Sequence, residues 1–162
     1  MKPLLAILIV LQAAAWTQQA APGYLEISGD VPHPRTFQEQ EWKAMKHVSV
    51  IATNAHDKKT STFSGVPLLD ILQSAGVPTG ENLRGKALTT CVTITASDGY
   101  KVIFSLAELD AGIGARQVIV ADSKDGKPLP STAGPLRLIV TEDKRPARWV
   151  RMVKTIRVIA NP

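Results

Sequence analysis

Residues 88–108, which read LTTCVTITASDGYKVIFSLAE, decide the fold class of this chain. The first nine of them alternate between two faces as a strand does, and an Asp-Gly turn signal then leads into a second strand, Tyr100–Phe104. Ser105 stands three residues before Glu108, which is the spacing of a capping box, so a short helix should follow. A hairpin that runs directly into a helix predicts a mixture of α and β structure.

The rest of the chain has the same organisation of short strands and short helices. The helices are predicted at Phe37–Met45, behind a capping-box spacing of Thr36 and Glu39, at Pro67–Gly76, and after Ser105. The strands are predicted at Tyr24–Ser28, His47–Ala52, Thr60–Ser64, Leu88–Ala96, Tyr100–Phe104, Val118–Ala121, Arg137–Thr141 and Val153–Ile159. About eight strands and three helices without an internal repeat predict one α+β domain with a mixed sheet, spanning residues 24–160.

Composition excludes several classes of protein. The chain has 162 residues, of which 44% are hydrophobic and 20% charged, as in an ordinary globular domain rather than a disordered one. The single cysteine excludes an internal disulfide and a cysteine-rich metal site. The sequence contains no G-x-S-x-G, H-E-x-x-H or Walker motif, and its three histidines lack close ligand spacing, so we assign no metal-ligating set.

The N-terminus has the features of a signal peptide. Lys2 precedes an apolar run, Leu4–Ala15, which Gln12 alone interrupts and which ends in three alanines. Twelve residues are too few for a stable membrane span, which needs about 20. We therefore expect residues 1–15 to be a signal peptide, cleaved between 15 and 21, and the protein to be extracytoplasmic, either periplasmic or secreted. An uncleaved anchor or a buried N-terminal helix is the alternative.

The positive charge is concentrated near the C-terminus. Residues 136–162 hold seven basic and two acidic residues, a net charge of +5, whereas the other 135 residues are balanced. A local basic patch indicates an anionic partner, and export makes nucleic acid an unsuitable one.

Within this patch, Arg148 and Arg151 flank the junction between a loop and the last strand. At that spacing two guanidinium groups can converge on one anion, and Trp149 between them can stack on a flat ligand. The alternative is a solvated basic edge with Trp149 packed in the core.

Cys91 is the one candidate for a nucleophile or a soft ligand. In a strand it shares a face with Thr93 and Thr95, while Val92 and Ile94 point to the core. The alternative, a small half-buried strand residue, is the commoner role for a cysteine in this position. Cys91 is therefore a weak catalytic candidate.

Several fragments then occur in one order along the chain. They are Gly65-Val66-Pro67-Leu68 before a leucine-rich helix, Asp98-Gly99-Tyr100, Gly126-Lys127-Pro128-Leu129-Pro130, the run from Gly134 to Val140, and the ending from Arg148 to Val158. Taken together, they resemble the molybdopterin-binding domain of the sulfite oxidase-type oxidoreductases. The resemblance runs from about Leu25 to Ile159, and the chain looks like a minimal, single-domain member.

The resemblance implies a mixed α+β fold that holds a molybdenum–pterin cofactor, with basic residues before the last strand binding the pterin phosphate. On this basis the loop around Asp98 borders the pocket. The cofactor-binding candidates are Arg148, Arg151, Trp149, Tyr100 and Lys144.

The chain departs from the family at the molybdenum ligand. The family places a cysteine thiolate shortly before the G-x-P-L turn, whereas the corresponding window here, Ile51–His56, has none, and Cys91 follows the turn. Three hypotheses remain open. The hypothesis that we favour is an exported module that binds an anionic or pterin-type ligand. The second is an active molybdenum-cofactor oxidoreductase that transfers an oxo group and has atypical ligation. The third is a non-catalytic interaction module with a protein partner.

Overall fold

The computed structural model describes residues 24–54 and 58–160, which form two β-sheets and three short helices. The predicted signal peptide lies outside these residues. The strands are β1 Leu25–Gly29, β2 Arg35–Phe37, β3 Val48–Thr53, β4 Thr60–Pro67, β5 Cys91–Ala96, β6 Lys101–Ser105, β7 Val118–Lys124, β8 Lys127–Pro128, β9 Arg137–Val140 and β10 Val153–Ile159. The helices are α1 Glu39–Ala44, α2 Leu68–Ser74 and α3 Leu106–Leu109, with 3-10 turns at Gly80–Asn82, Gly85–Thr89 and Pro146–Arg148.

The first sheet has the strand order β2-β1-β10-β5-β6. Its central strand β10 is parallel to β1 and antiparallel to β5, so the sheet is mixed. The predicted hairpin is present, because β5 pairs with β6 in an antiparallel register that places Val92 opposite Phe104. The predicted α+β class is confirmed.

The second sheet is antiparallel and has the order β3-β4-β7-β8, with β9 on the same side of β7 as β8. A register shift between Ser64 and Gly65 lets β4 approach β7 closely. A Cβ atom at Gly65 would lie 2.2 Å from the Val120 carbonyl oxygen, so only glycine fits there. Sequence alternation predicted one mixed sheet, but it cannot show which strands pair across long separations, and the chain divides them between two.

One hydrophobic core joins the two sheets and the helices. On β5, Val92 and Ile94 are fully buried while Cys91, Thr93 and Thr95 lie on the opposite, half-buried face, as the period of two predicts. The largest fully buried side chains are Trp42, Phe37, Phe104, Leu25, Ile27, Leu68, Ile71, Leu72, Ile94, Leu106, Ile119 and Leu136. No helix in the described part of the chain is long and apolar enough to cross a membrane.

Two local predictions were wrong. Phe37 ends strand β2 instead of starting a helix, and the capping box of α1 is formed by Gln38 and Glu41, because Phe37 buries its ring against Trp42 in the core. Leu88 lies in a 3-10 turn and is 43% exposed, so the long strand begins only at Cys91. The capping box of Ser105 and Glu108 on α3 is confirmed.

Candidate functional site

Three of the five predicted cofactor-binding residues line one cleft, which we call the Arg151 cleft. It has a volume of about 280 Å³ and is lined by Asp98, Tyr100, Pro146, Ala147, Trp149, Val150 and Arg151. The Tyr100 hydroxyl donates a hydrogen bond to the Ala147 carbonyl oxygen at 2.8 Å, and the Asp98 carboxylate accepts one from the Tyr100 amide at 2.9 Å. The bond from Tyr100 to Ala147 joins the hairpin turn to the 3-10 turn, and residues of both turns line the cleft.

Arg148 does not face this cleft. Its Nε and Nη2 atoms donate to the Asp143 carboxylate at 2.8 and 2.7 Å, its Nη1 lies 3.4 Å from Glu108, and its guanidinium lies 4.4 Å above the Phe104 ring. The hydrogen bond with Asp143 raises the pKa of the Arg148 guanidinium above its usual value, against the opposing effect of burial. The structure therefore does not bring Arg148 and Arg151 together, because nearby carboxylates already satisfy Arg148.

Arg116 completes a cluster of ion pairs around Arg148. Its Nε lies 3.2 Å from Glu108 and its Nη1 lies 3.3 Å from Asp143 and 3.6 Å from Glu142. Because Glu108 also caps α3, the cluster connects that helix to the turn after β9. Two arginines sharing these carboxylates form a structural junction. Lys144 lies exposed beside it and outside the lining of the Arg151 cleft.

Trp149 is a core residue as well as a cleft wall. Only 6% of it is exposed, its indole N–H donates to the Val140 carbonyl oxygen at 2.8 Å, and its ring packs edge-on against Phe63 with the centroids 5.9 Å apart. Because the indole is buried and its N–H is satisfied, the ring is fixed as part of the core. Trp149 also lines a second, smaller pocket.

This second pocket, which we call the Arg137 pocket, is lined by Ala52, Asn54, Lys59, Ser61, Phe63, Lys124, Arg137 and Trp149. Arg137 at the start of β9 lies 6.0 Å from the Phe63 ring and 5.7 Å from the Trp149 ring, and the Lys124 ammonium lies 5.9 Å from the Phe63 ring. Among the described lining residues there are three cations and no carboxylate. The arrangement produces a positive potential over an aromatic wall.

The Arg137 pocket coincides with the window in which the resemblance expects the molybdenum ligand. Ala52 and Asn54, from that window, line the pocket, and the chain has no cysteine there. The lining offers only hard oxygen and nitrogen donors, and the volume of about 20 Å³ suits one small group rather than a pterin. The described residues therefore fit an anion but not a thiolate-bound molybdenum centre.

Cys91 lies away from both clefts. It is half-buried at the start of β5 in the first sheet, and its thiol lies 3.7 Å from the Thr89 carbonyl oxygen. The Asp98 turn follows the other end of β5, roughly 17 Å away at about 3.4 Å per residue. In the described part of the chain no three His, Cys, Asp or Glu residues are grouped as metal ligands would be.

His47 makes a structural contact. Its Nδ1 lies 2.8 Å from the Met45 carbonyl oxygen, and its Nε2 lies 2.9 Å from Asp122, which also accepts the Trp42 indole N–H at 3.0 Å. This cluster attaches the segment between α1 and β3 to strand β7. His56 lies outside the described residues.

Sequence reasoning did not find the Arg137 pocket, because its side chains come from four strands, the turn after β3 and the end of the last 3-10 turn. Arg137 was counted within the basic C-terminal segment, and Lys59 and Lys124 belong to the charge-balanced remainder. The one sequence signal for this pocket is the position of Asn54, which lies in the window where the family places its cysteine ligand. Pairing of β4 with β7 and of β7 with β9 is what brings the three cations together.

Comparison with known proteins agrees with the fold. A family model described as the oxidoreductase molybdopterin binding domain matches residues 14–162. The chain is similar to the solved structure of the sulfane dehydrogenase SoxCD from Paracoccus pantotrophus, with a TM-score of 0.67 and 17% identity, over 86% of this chain and 38% of that one. The chain thus spans well under half of that structure, and no curated protein matches it significantly. By its family match over nearly its whole length, the chain belongs to the oxidoreductase molybdopterin-binding domain family.

Proposed function

We propose that this protein is an extracytoplasmic binding module that holds an anionic ligand, by a phosphate or similar oxyanion group, in the Arg137 pocket. It uses the molybdopterin-binding scaffold without thiolate ligation of molybdenum. The observation that carries the proposal is the convergence of Lys59, Lys124 and Arg137 on one recess whose described lining contains no carboxylate.

The chemistry of the recess suits an oxyanion. Arg137 offers a planar fork of donors, and the lysines add two flexible ammonium groups. The Phe63 and Trp149 rings behind the cations are 3% and 6% exposed, so they exclude water from one side of the site and strengthen the local electrostatic attraction. A recess of about 20 Å³ holds little more than one water-sized group, so only part of the oxyanion enters it and the remainder of the ligand lies outside.

Family membership supports an anionic ligand, but not the pterin phosphate in this pocket. The resemblance places that phosphate before the last strand, whereas Ala52 and Asn54 of the Arg137 pocket belong to the window of the molybdenum ligand. If the cofactor binds, the cofactor itself would supply the redox chemistry. The chain's own contribution is charge neutralisation and orientation by Arg137 and the two lysines.

A binding titration tests the site. Inorganic phosphate is titrated calorimetrically into the purified protein at low salt, where exposed charges are least screened. We expect Arg137→Gln and Lys124→Gln each to weaken binding by about 10-fold to 100-fold, the loss of one charge-assisted hydrogen bond. The matched control is Arg151→Gln, which removes the same charge from the other cleft and should leave the affinity unchanged.

Other results of the titration and a metal analysis would contradict the proposal. If Arg151→Gln abolishes phosphate binding and Arg137→Gln retains it, the binding site is the Arg151 cleft. If all variants bind phosphate with equal affinity, the binding is non-specific electrostatic attraction.

Metal analysis of protein exported from a host that makes molybdenum cofactor tests the ligation of molybdenum. Stoichiometric molybdenum in the purified protein would overturn the binding-module proposal in favour of an active oxidoreductase.

Export is tested separately by determining the N-terminal residue of the protein recovered from the periplasm or the medium. We expect cleavage between residues 15 and 21, as the apolar run and the three alanines predict. Recovery of the uncleaved chain from the cytoplasm would overturn this part of the proposal.

A further inference from the structure

Strand β3 is an unprotected edge of the second sheet. Its six residues, Val48–Thr53, carry no charge, and no strand of the described chain pairs with its outer side. The other terminal strands are short or carry a basic residue: β2 has three residues including Arg35, β8 has two including Lys127, and β6 includes Lys101. Natural proteins usually block sheet edges in that way, since an open edge pairs readily with another chain.

The register shows which backbone groups of β3 point outward. The Asn54 amide donates to the Lys59 carbonyl at 2.9 Å, so Asn54 and Lys59 form a hydrogen-bonded pair. Hydrogen-bonded and non-hydrogen-bonded pairs alternate along an antiparallel ladder, so the backbone groups of Val50 and Ala52 also bond to β4. The N–H and C=O groups of the intervening residues Ser49, Ile51 and Thr53 are therefore directed away from β4.

The side chains on this part of the edge are also exposed. Ile51 is 72% exposed, which is the highest value among the exposed large hydrophobic residues of the described chain. Ser49 and Thr53 lie on the same face and are exposed too. The edge thus presents unsatisfied backbone groups beside a β-branched apolar side chain that nothing in the described structure covers.

We propose that β3 pairs with β3 of a second copy of this chain, antiparallel and about a two-fold axis at Ile51. In this register Ile51 lies opposite Ile51 of the second copy, and Ser49 lies opposite Thr53. Each outward N–H then meets an outward C=O, so the two second sheets become one continuous sheet. The isoleucines bury each other at the axis, and hydroxyl groups face hydroxyl groups on either side of it.

Charge explains why a second copy is a suitable occupant of this edge. A two-fold axis places identical residues against each other, so any charge near it repels its own copy. The chain carries a net charge of +5, which disfavours self-association over most of its surface. On β3 that penalty is absent, whereas β6 and β8 each carry a lysine. The inference depends only on the β3 edge and stands whether or not the Arg137 pocket binds an anion.

The oligomeric state of the purified protein tests the proposal. Sedimentation velocity over a range of concentrations should show a dimer in equilibrium with the monomer. Ile51→Lys places like charges at the axis and should raise the dimer dissociation constant by about tenfold or more. The matched control is Ile103→Lys, because Ile103 is a similarly exposed isoleucine, at 61%, on the edge strand of the other sheet. It should leave the dimer unchanged.

Cross-linking gives an independent measurement. In a Cys91→Ser background, Ile51→Cys should form a disulfide with its own copy, since Cα atoms of a hydrogen-bonded antiparallel pair lie about 5.5 Å apart, within disulfide range. Ile103→Cys should stay reduced under the same conditions. A protein that is monomeric at all concentrations, or an equal effect of the substitutions at 51 and 103, would overturn the proposal.

Discussion

Arg148 and Asp143, five residues apart in the chain, form a two-point ion pair in which Nε meets Oδ2 at 2.8 Å and Nη2 meets Oδ1 at 2.7 Å. The guanidinium edge formed by Nε and Nη2 is therefore unavailable to a ligand in the Arg151 cleft. The pair also fixes the turn between β9 and the last strand, so an arginine that the sequence suggests for ligand binding acts instead to hold the site's framework.

The first prediction concerns this pair. Arg148→Gln should lower the free energy of unfolding by about 1–3 kcal/mol, because the carboxylate of Asp143, which is only 14% exposed, then keeps only the longer contact with Arg116 at 3.3 Å. Urea denaturation measures the change. Arg151→Gln removes an exposed arginine nearby and should stay within about 0.5 kcal/mol of the natural protein. Equal losses in the two variants would refute the structural role of Arg148.

The second prediction concerns Asp110, which is 2% exposed. Its carboxylate accepts the Gly80 amide at 2.6 Å and the Gly112 amide at 2.8 Å, and so connects the loop after α2 to the turn after α3. Asp110→Ala leaves two donors unsatisfied and should cost about 2–4 kcal/mol of unfolding free energy. Asp110→Asn keeps one acceptor oxygen and should lower the free energy of unfolding by less than Asp110→Ala does. Thermal unfolding measures the difference. A cost below about 1 kcal/mol for the alanine variant would contradict this account.

The third prediction concerns the close approach of β4 and β7. Gly65→Ala forces a methyl group against the backbone at Val120, which cannot move without breaking the ladder, so the unfolding free energy should fall by at least about 2 kcal/mol. Ser64→Ala, one residue earlier and half-buried, should cost less than about 1 kcal/mol. Chemical denaturation compares the two variants, and similar midpoints would show that the strands are further apart than described.

The fourth prediction concerns the titration of Tyr24. Burial, together with the negative charges of Asp122 and Glu39, raises the pKa of this phenol to about 12. Since the folded protein holds the proton more tightly, the associated stability is complete below about pH 10 and is lost as the pH rises toward 12. Absorbance at the phenolate band should show a step near pH 12 that Tyr24→Phe removes. A step that ends by pH 10 would contradict the burial of this ring.

The sequence predicted most of the secondary structure because its signals are local. Alternation on β5, the Asp-Gly turn at residue 98 and the capping box at Ser105 depend on residues within a few positions of one another, and each is present in the structure. The helix predicted at Phe37–Met45 is present but begins at Glu39, because two capping-box spacings overlap there. Burial of the Phe37 ring, a tertiary effect, selects the later one.

The candidate site was less accessible from the sequence. Charge counting located the basic segment but could not show that Arg148 pairs with Asp143 and Glu108 while Arg151 lines a cleft together with Tyr100. The Arg137 pocket needs Lys59, Lys124 and Arg137 to converge, and that depends on strand pairings between distant segments. Long-range pairing leaves no local pattern in a single sequence, so the Arg137 pocket could not be predicted from it.

The position of β10 has a consequence for how the protein folds. Val153–Ile159 is the last strand of the described chain, yet it lies in the middle of the first sheet, between β1 and β5. Until these residues leave the ribosome, β1 and β5 have no common neighbour and the first sheet cannot close. The first sheet therefore assembles only after the chain has been synthesised through residue 159.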